Sequence, residues 1–288
     1  MASQYTVRVH ALMDHVRAHL DQDLNLDALA KRAGFSPFHF HRVFKATTGE
    51  TLAQFTRRAR LERAAYLMKG APSRSLASIA VESGFASHSD LSRAFTRVYG
   101  LAPSRWDRKR RLDAVPEDRP EPRAPPDPPF SAQLRSHGAC RLAYVRMQTW
   151  FVGDALPRGF AKLTAWLQAR DVDWRSTTLH GLSWDNYATT PLEKVRFDFG
   201  FPVPPHVHAE GEIGIHELPA VRAVDVHCRG SLQRIADAWD YLYDDWLPNS
   251  GYQPADLPGI KRFRTGPDVL GWNEWDLDCS IAVRPLTP

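Results

Sequence analysis

The chain predicts two domains of different class: an all-α domain holding two helix-turn-helix units, then an α+β domain built of two related strand-helix-strand-strand halves. Three observations predict this. One helical pattern is written twice within the first 106 residues, about fifty residues apart; a proline-rich stretch follows it; and after Phe130 the hydrophobic period changes from helical to mixed.

An opening helix is expected where Val9, Leu12, Val16 and Leu20 recur every three to four residues. The first copy of the repeat runs from Leu26 to Phe44 and ends at Gly49. Leu26, Leu29 and Ala30 make one apolar stripe, and Gly34 ends that helix because a left-handed backbone costs glycine nothing. Phe35 is placed in the turn as a wedge, Ser36 caps the next helix, and Pro37 takes its first position, where a missing N–H is harmless. Phe40, Val43 and Phe44 then face inward at i, i+3 and i+4, which leaves Phe38, His39, His41 and Arg42 on the opposite side. The second copy runs from Leu76 to Phe95 and ends at Gly100, with one extra residue between Phe85 and Arg93. Gly84, Phe85 and Ser87 repeat the turn and cap, Leu91 and Phe95 face inward, and His88, Ser89, Ser92 and Arg93 point out. Between the copies, residues 51–69 read as a long amphipathic helix with arginines at 57, 58, 60 and 63. Such a helix would fix the separation of the units, so that two recognition helices could enter successive major grooves about 34 Å apart.

From about Val9 to Asp107 the sequence resembles the DNA-binding domain of the AraC family of transcription regulators. The resemblance rests on the paired Gly-Phe turns, the Arg-x-Phe endings at Arg42/Phe44 and Arg93/Phe95, and the closing run from Gly100 through Pro103 to Trp106. It implies that Phe38, His41 and Arg42 in the first unit, and His88, Ser89 and Arg93 in the second, occupy positions that meet bases or nearby phosphates. His39 and Ser92 share those exposed faces. Charge agrees: residues 1–111 carry 19 Lys/Arg against 9 Asp/Glu, a net of +10, whereas the remainder carries 18 against 24, a net of −6, giving +4 overall. A basic part joined to an acidic part points to a nucleic-acid contact confined to one domain. For clustered arginine alone, a solvated helical surface is the plain alternative.

The first domain is expected over 1–111, ending in the basic cluster Arg108 to Arg111, with a proline-rich linker over 112–129 and the second domain over 130–288. Seven prolines between Pro116 and Pro129 favour extended polyproline II geometry and a semi-rigid spacer. The first residues form an amphipathic helix, and no run approaches 18 apolar residues, so a soluble, cytoplasmic protein is expected. Cys140, Cys228 and Cys279 are widely spaced with no CxxC pair, which argues against a disulfide framework or zinc site and reads them as small core residues. No nucleophile elbow and no Gly-rich phosphate loop is present, and neither a cofactor nor a resident metal is expected. His206, His208, Glu210 and Glu212 would share one face if extended, but the preceding Pro202, Pro204 and Pro205 favour a solvated loop.

In the second domain, residues 195–201 and 277–283 alternate with period two, and 221–228 is rich in β-branched residues, so these are strands. Phe160, Leu163 and Leu167 mark one amphipathic helix; Leu232, Ile235, Trp239, Leu242 and Trp246 mark another. Leu163-x-x-Trp166-Leu167 is echoed by Tyr243-x-x-Trp246-Leu247, which suggests two related halves. This part resembles the GyrI-like effector-binding domain, through the strand before Trp150, Trp184-Asp-Asn with Val195-Arg196-Phe197-Asp198, and the run from Trp246 to Tyr252. The resemblance implies a cleft that binds a small organic compound, often amphipathic or cationic. Eight of nine tryptophans lie after residue 130, and Trp150, Phe151, Trp184, Tyr187, Trp272 and Trp275 fall in loops or strand ends, where pockets gather ring faces. Simple packing is the competing reading for each of them. Trp166, Trp239 and Trp246 lie on helix stripes and read as core.

One departure stands out. Where the family carries a Phe-Glu-x-Tyr pattern after its Ser-Gly-Tyr segment, this chain has Ile260-Lys261-Arg262-Phe263, a base in place of the acid and no phenol. A cation would then depend on ring faces and Glu274; otherwise the compound is neutral or anionic, or the pocket has lost its ligand. The expected function is a ligand-responsive transcription regulator whose partners are double-stranded DNA, a small organic effector and RNA polymerase. The alternative is a hydrolase or drug-sequestering binder acting through the second domain, although the missing carboxylate and phenol argue against acid/base hydrolysis.

Overall fold

Every helix that the repeat predicts begins on a side chain able to cap it. In this computed structural model, which describes residues 4–71, 74–106, 129–148, 153–185 and 195–286, the first unit consists of α1 (Gln4–Ala18), α2 (Leu26–Arg32), α3 (Pro37–Thr48), α4 (Leu52–Gly70), α5 (Leu76–Glu82) and α6 (His88–Tyr99). Asn25, Ser36, Thr51, Ser75 and Ser87 each accept a hydrogen bond from an otherwise orphaned N–H in the first turn of the helix that follows. Gly34 and Gly84 take φ of 72° and 81° in the two turns, and Gly49 and Gly100 end α3 and α6 with φ of 73° and 72°.

Two cores result, and α4 serves both. Its first half gives Leu52, Phe55 and Ala59 to a core with Val9, Leu12, Leu29, Phe40 and Phe44; its second half gives Leu61, Ala65, Leu67 and Met68 to a core with Ile79, Phe85, Leu91, Phe95 and Trp106. The helix is therefore buried on most sides instead of amphipathic as expected. Its arginines are drawn inward as well. Arg58 pairs with Glu50 at 2.6 Å and with Glu62 at 2.7 Å, Arg60 donates to the carbonyls of Leu20 at 2.9 Å and Gln22 at 3.1 Å, and Arg63 reaches Glu82 at 3.2 Å. Of the four arginines singled out on this helix, Arg57 is the exposed one.

The second unit has β1 (Ala132–His137), β2 (Cys140–Gln148), α7 (Ala155–Gln168), β3 (His180–Ser183), β4 (Arg196–Pro202), β5 (Ile213–Leu218), β6 (Val221–Gly230), α8 (Leu232–Asp240), β7 (Tyr252–Pro254), β8 (Gly259–Thr265) and β9 (Trp275–Pro285). The sheet order is β1-β6-β9-β8-β3-β4-β2-β5, with β7 paired to β9. Two halves, β2-α7-β3-β4 and β6-α8-β8-β9, meet at the antiparallel pair β3·β8. To the predicted strand-helix-strand-strand plan the fold adds β1, β5 and β7. The edge strands cross over: β1 leads into β2 but pairs with β6, and β5 leads into β6 but pairs with β2. The halves are thereby tied to each other at both edges as well as at the centre.

Some expectations need correction. Past Asp240 the second helix widens into a π-helical turn at Tyr241–Trp246, and Trp166, Trp239 and Trp246 are half-buried instead of core. Cys228 and Cys279 are buried, but Cys140 is only partly so. In keeping with the loop reading of their run, His206 and His208 are exposed, and Glu210 and Glu212 pair with Arg170 and Lys162. The chain divides into compact units Met1–Arg108 and Lys109–Pro288. The linker expected at 112–129 lies, except for Pro129, outside the described residues.

Candidate functional site

On α3 the apolar side is consumed by the core, since Phe40 and Phe44 are fully buried, and His39, His41 and Arg42 stand exposed near the helix start. The side chain of Phe38 lies outside the described residues. On α6 the arrangement recurs: Leu91, Ala94 and Phe95 are buried, His88, Ser89 and Arg93 are exposed, and Ser92 is half-buried within 3.3 Å of the His88 ring. Arg93 is 71% exposed, with Asp90 3.8 Å away. Each unit thus offers imidazole and guanidinium donors on the first two turns of a helix, the place from which side chains reach base edges and phosphates.

The sheet of the second unit has two unlike faces. Directly opposed residues share a face, so Phe197, Phe199, Phe201, Gly181, Lys261, Phe263, Trp275, Leu277 and Cys279 lie on one side, the side on which Phe160 of α7 packs at 6.0 to 6.4 Å from Phe201 and Phe199. Trp272 joins this aromatic layer, 5.5 Å from Phe160 and 6.4 Å from Trp275. Its backbone has φ of 65°, strained for a bulky residue and compensated by ring packing. In this layer Lys261 is 6% exposed, and burial lowers its pKa to about 8. Its ammonium donates to the Ser183 hydroxyl at 2.8 Å and lies over the rings of Phe197, at 5.0 Å, and Trp239, at 5.5 Å.

A family model described as a GyrI-like small molecule binding domain matches residues 136–284, more than half of the chain, and one described as a helix-turn-helix domain matches residues 29–109. The regulatory protein SoxS of Salmonella typhimurium is 34% identical over 96 residues, covering 33% of this chain and 89% of SoxS. This chain is an AraC-family transcription regulator with a GyrI-like domain. The right origin-binding protein of Escherichia coli is 32% identical to the regulator over 100 residues, 35% of the chain but only 34% of that protein. Among solved structures, the EcmrR C-terminal domain is similar with a TM-score of 0.42 and 20% identity, over 55% of this chain and 99% of that one.

Of the regulator's predicted compound-contacting residues, Trp272 and Trp275 come together in the helix-side layer, whereas Trp184 does not. Its indole donates to Asp198 at 2.6 Å, on the opposite face of the sheet, and Trp150, Phe151 and Tyr187 lie outside the described residues. Glu274 is 51% exposed and pairs with Arg229 at 3.4 Å, a surface ion pair with no burial to strengthen it. Around Asp198 stands a network that sequence reasoning missed. Arg146 donates two hydrogen bonds to the carboxylate, at 2.8 and 2.7 Å, and His216 donates a third at 2.9 Å while stacking on Tyr144 at 3.7 Å. Burial works to raise the Asp198 pKa, but the Arg146 charge and the hydrogen bonds from His216 and Arg146 outweigh it and hold the carboxyl well below the usual range. Next to it Arg196 and Asp185 form a second fully buried pair, at 2.7 and 2.9 Å. The signal was present: charged residues inside strands otherwise made of Phe and Val.

The same face holds a cavity of about 120 Å³ between the β1–β2 and β5–β6 turns, lined among others by Cys140, His180 and Arg262. Burial lowers the His180 pKa to about 4, aided by the Arg262 charge. Among the described residues, no helix is long and apolar enough to cross a membrane.

Proposed function

We propose that this regulator reads DNA with the N-terminal turns of α3 and α6 and that a small organic compound, held against the helix-side face of the GyrI-like sheet, changes that binding. One observation carries the reading of DNA: the two capped helices bury Phe40 and Phe44, and Leu91, Ala94 and Phe95, and present His39, His41 and Arg42, and His88, Ser89 and Arg93, at equivalent ends. Phe38 and Ser92 complete the proposed contact sets, and Trp272 and Trp275 the compound site. RNA polymerase is the partner that family membership brings to this reading, and the cytoplasm is the compartment in which all three meet. The mode of action is binding and not turnover, because Lys261 and Phe263 stand where an acid and a phenol would be required.

A gel shift with the regulator's own upstream DNA tests this. Affinity should fall steeply between about 50 and 200 mM salt, as phosphate neutralisation requires, and footprinting should show two protected major-groove segments about one helical turn apart. Salt-independent retention, or a single protected segment, defeats the two-helix reading.

A further inference from the structure

We infer that Lys261 makes the helix-side face a receptor for an aromatic compound bearing an anionic group, a carboxylate or sulfonate, that pairs with its ammonium. The inference rests on the proposal that this face holds the compound, and it names the class. A lysine buried to this degree is normally matched by a carboxylate. Here the neutral Ser183 hydroxyl takes one of three N–H donors, and the other neighbours are the Phe197 and Trp239 rings and the Cys279 thiol, which burial keeps protonated. No carboxylate among the described residues pairs with it. Further along the same face, four residues from Cys279 on β9, the Trp275 indole N–H is also buried without an acceptor. With no acid among the described residues to match the buried ammonium, this aromatic face is short of negative charge.

The geometry also provides a way in. Trp239, one of the two rings against the ammonium, is half-buried, so part of that ring faces solvent. It lies on Gly259, where an added Cβ would stand 3.0 Å from the ring, and it sits two residues before the π-helical turn Tyr241–Trp246. A π-helical turn inside a helix is a feature found frequently at functional sites. An anion entering there would meet the ammonium in surroundings of low dielectric, where a charge-assisted hydrogen bond is strong.

Calorimetric titration of the full chain with three isosteric probes, 2-naphthoate, 2-naphthalenemethanol and 2-naphthylmethylammonium, tests the inference. The wild type should bind naphthoate about tenfold or more tighter than the alcohol, the size of one charge-assisted contact, and the ammonium most weakly. Lys261→Met should lose the preference for naphthoate over the alcohol, and Lys261→Glu should prefer the ammonium. If the alcohol binds and naphthoate binds no better, or if Lys261→Met keeps the preference, the inference is overturned while the compound site stands. If none of the three binds the wild type, the compound site itself is wrong and the inference falls with it. Should a variant fail to fold by circular dichroism, the ranking of the three probes on the wild type decides alone.

Discussion

Single residues carry the chemistry of this regulator, and two buried charges illustrate opposite solutions. Asp198 is matched by Arg146, His216 and Trp184. Asp198→Asn leaves the Arg146 charge buried without its counter-ion and should cost about 3 to 5 kcal/mol in urea unfolding. The depressed carboxyl makes its contribution complete above the ordinary carboxylate range, and lost as the pH falls through the folded value. Lys261 is the reverse case. With a folded pKa of about 8 against an ordinary 10.5, the native state resists protonation by about 3 kcal/mol. Lys261→Met should therefore stabilise the protein at pH 7, and its advantage over wild type should shrink as the pH rises from about 8 towards 10.5, because the wild type then sheds its buried charge. A variant no more stable than wild type at pH 7 would show that the rings and Ser183 already compensate the ammonium. For the DNA face, Arg42→Ala and Arg93→Ala should each cost about 1 to 3 kcal/mol at one half-site if the guanidinium reads bases, and weaken all sequences alike if it holds phosphate. Binding to single-base operator variants separates the two.

At the level of elements, the two helix-turn-helix units are alike in sequence but not in their surroundings. Gly34 and Gly84 both need a left-handed backbone, but a Cβ on Gly34 would meet only the mobile end of Arg8 at 3.2 Å, whereas on Gly84 it would lie 1.8 Å from the Leu20 carbonyl oxygen and 2.6 Å from Arg60 Nε. That carbonyl is the one Arg60 holds, so the second turn is wedged against the segment after α1. Gly34→Ala should cost about 1 to 3 kcal/mol of backbone strain, and Gly84→Ala substantially more, with loss of helical signal at lower urea. Equal losses would mean that the Leu20 contact gives way freely. The burial of α4 belongs to the same scale. A helix shared by two cores keeps only a short solvent side, at Ala53, Gln54 and Arg57, and the charge of Arg58 and Arg63 goes into ion pairs with Glu50, Glu62 and Glu82.

For the whole molecule, separate cores in Met1–Arg108 and Lys109–Pro288 predict that each part is stable without the other. A fragment of residues 1–111 should give a cooperative helical melt and keep salt-dependent DNA binding; an unfolded fragment would place the boundary elsewhere. If a compound changes DNA affinity by some factor, DNA must change compound affinity by the same factor. Titrating 2-naphthoate with and without bound operator checks this, and an affinity that operator leaves unchanged would mean that the compound does not act on DNA binding.

The all-α first domain was legible because capping, left-handed glycines and a 3.6-residue period are local: Ser36, Gly34 and Phe40 act within a few residues of one another. The duplicated motif likewise indicated the exposure of His39, His41 and Arg42 on α3 and of His88, Ser89 and Arg93 on α6, while Ser92 turns out half-buried. The strands around Val195 and Leu277 could be placed for the same reason, since alternation is a property of neighbours. What tertiary structure alone decided was which face each strand residue meets and what covers it. Their places in loops or at strand ends put Trp184 and Trp272 among candidate aromatics, but only the tertiary fold sends one to Asp198 and the other to Phe160. It is likewise the packing of β3, β4, β9 and α8 around β8 that turns Lys261, an ordinary basic residue in the sequence, into a buried charge, because desolvation depends on every element that excludes water from a group.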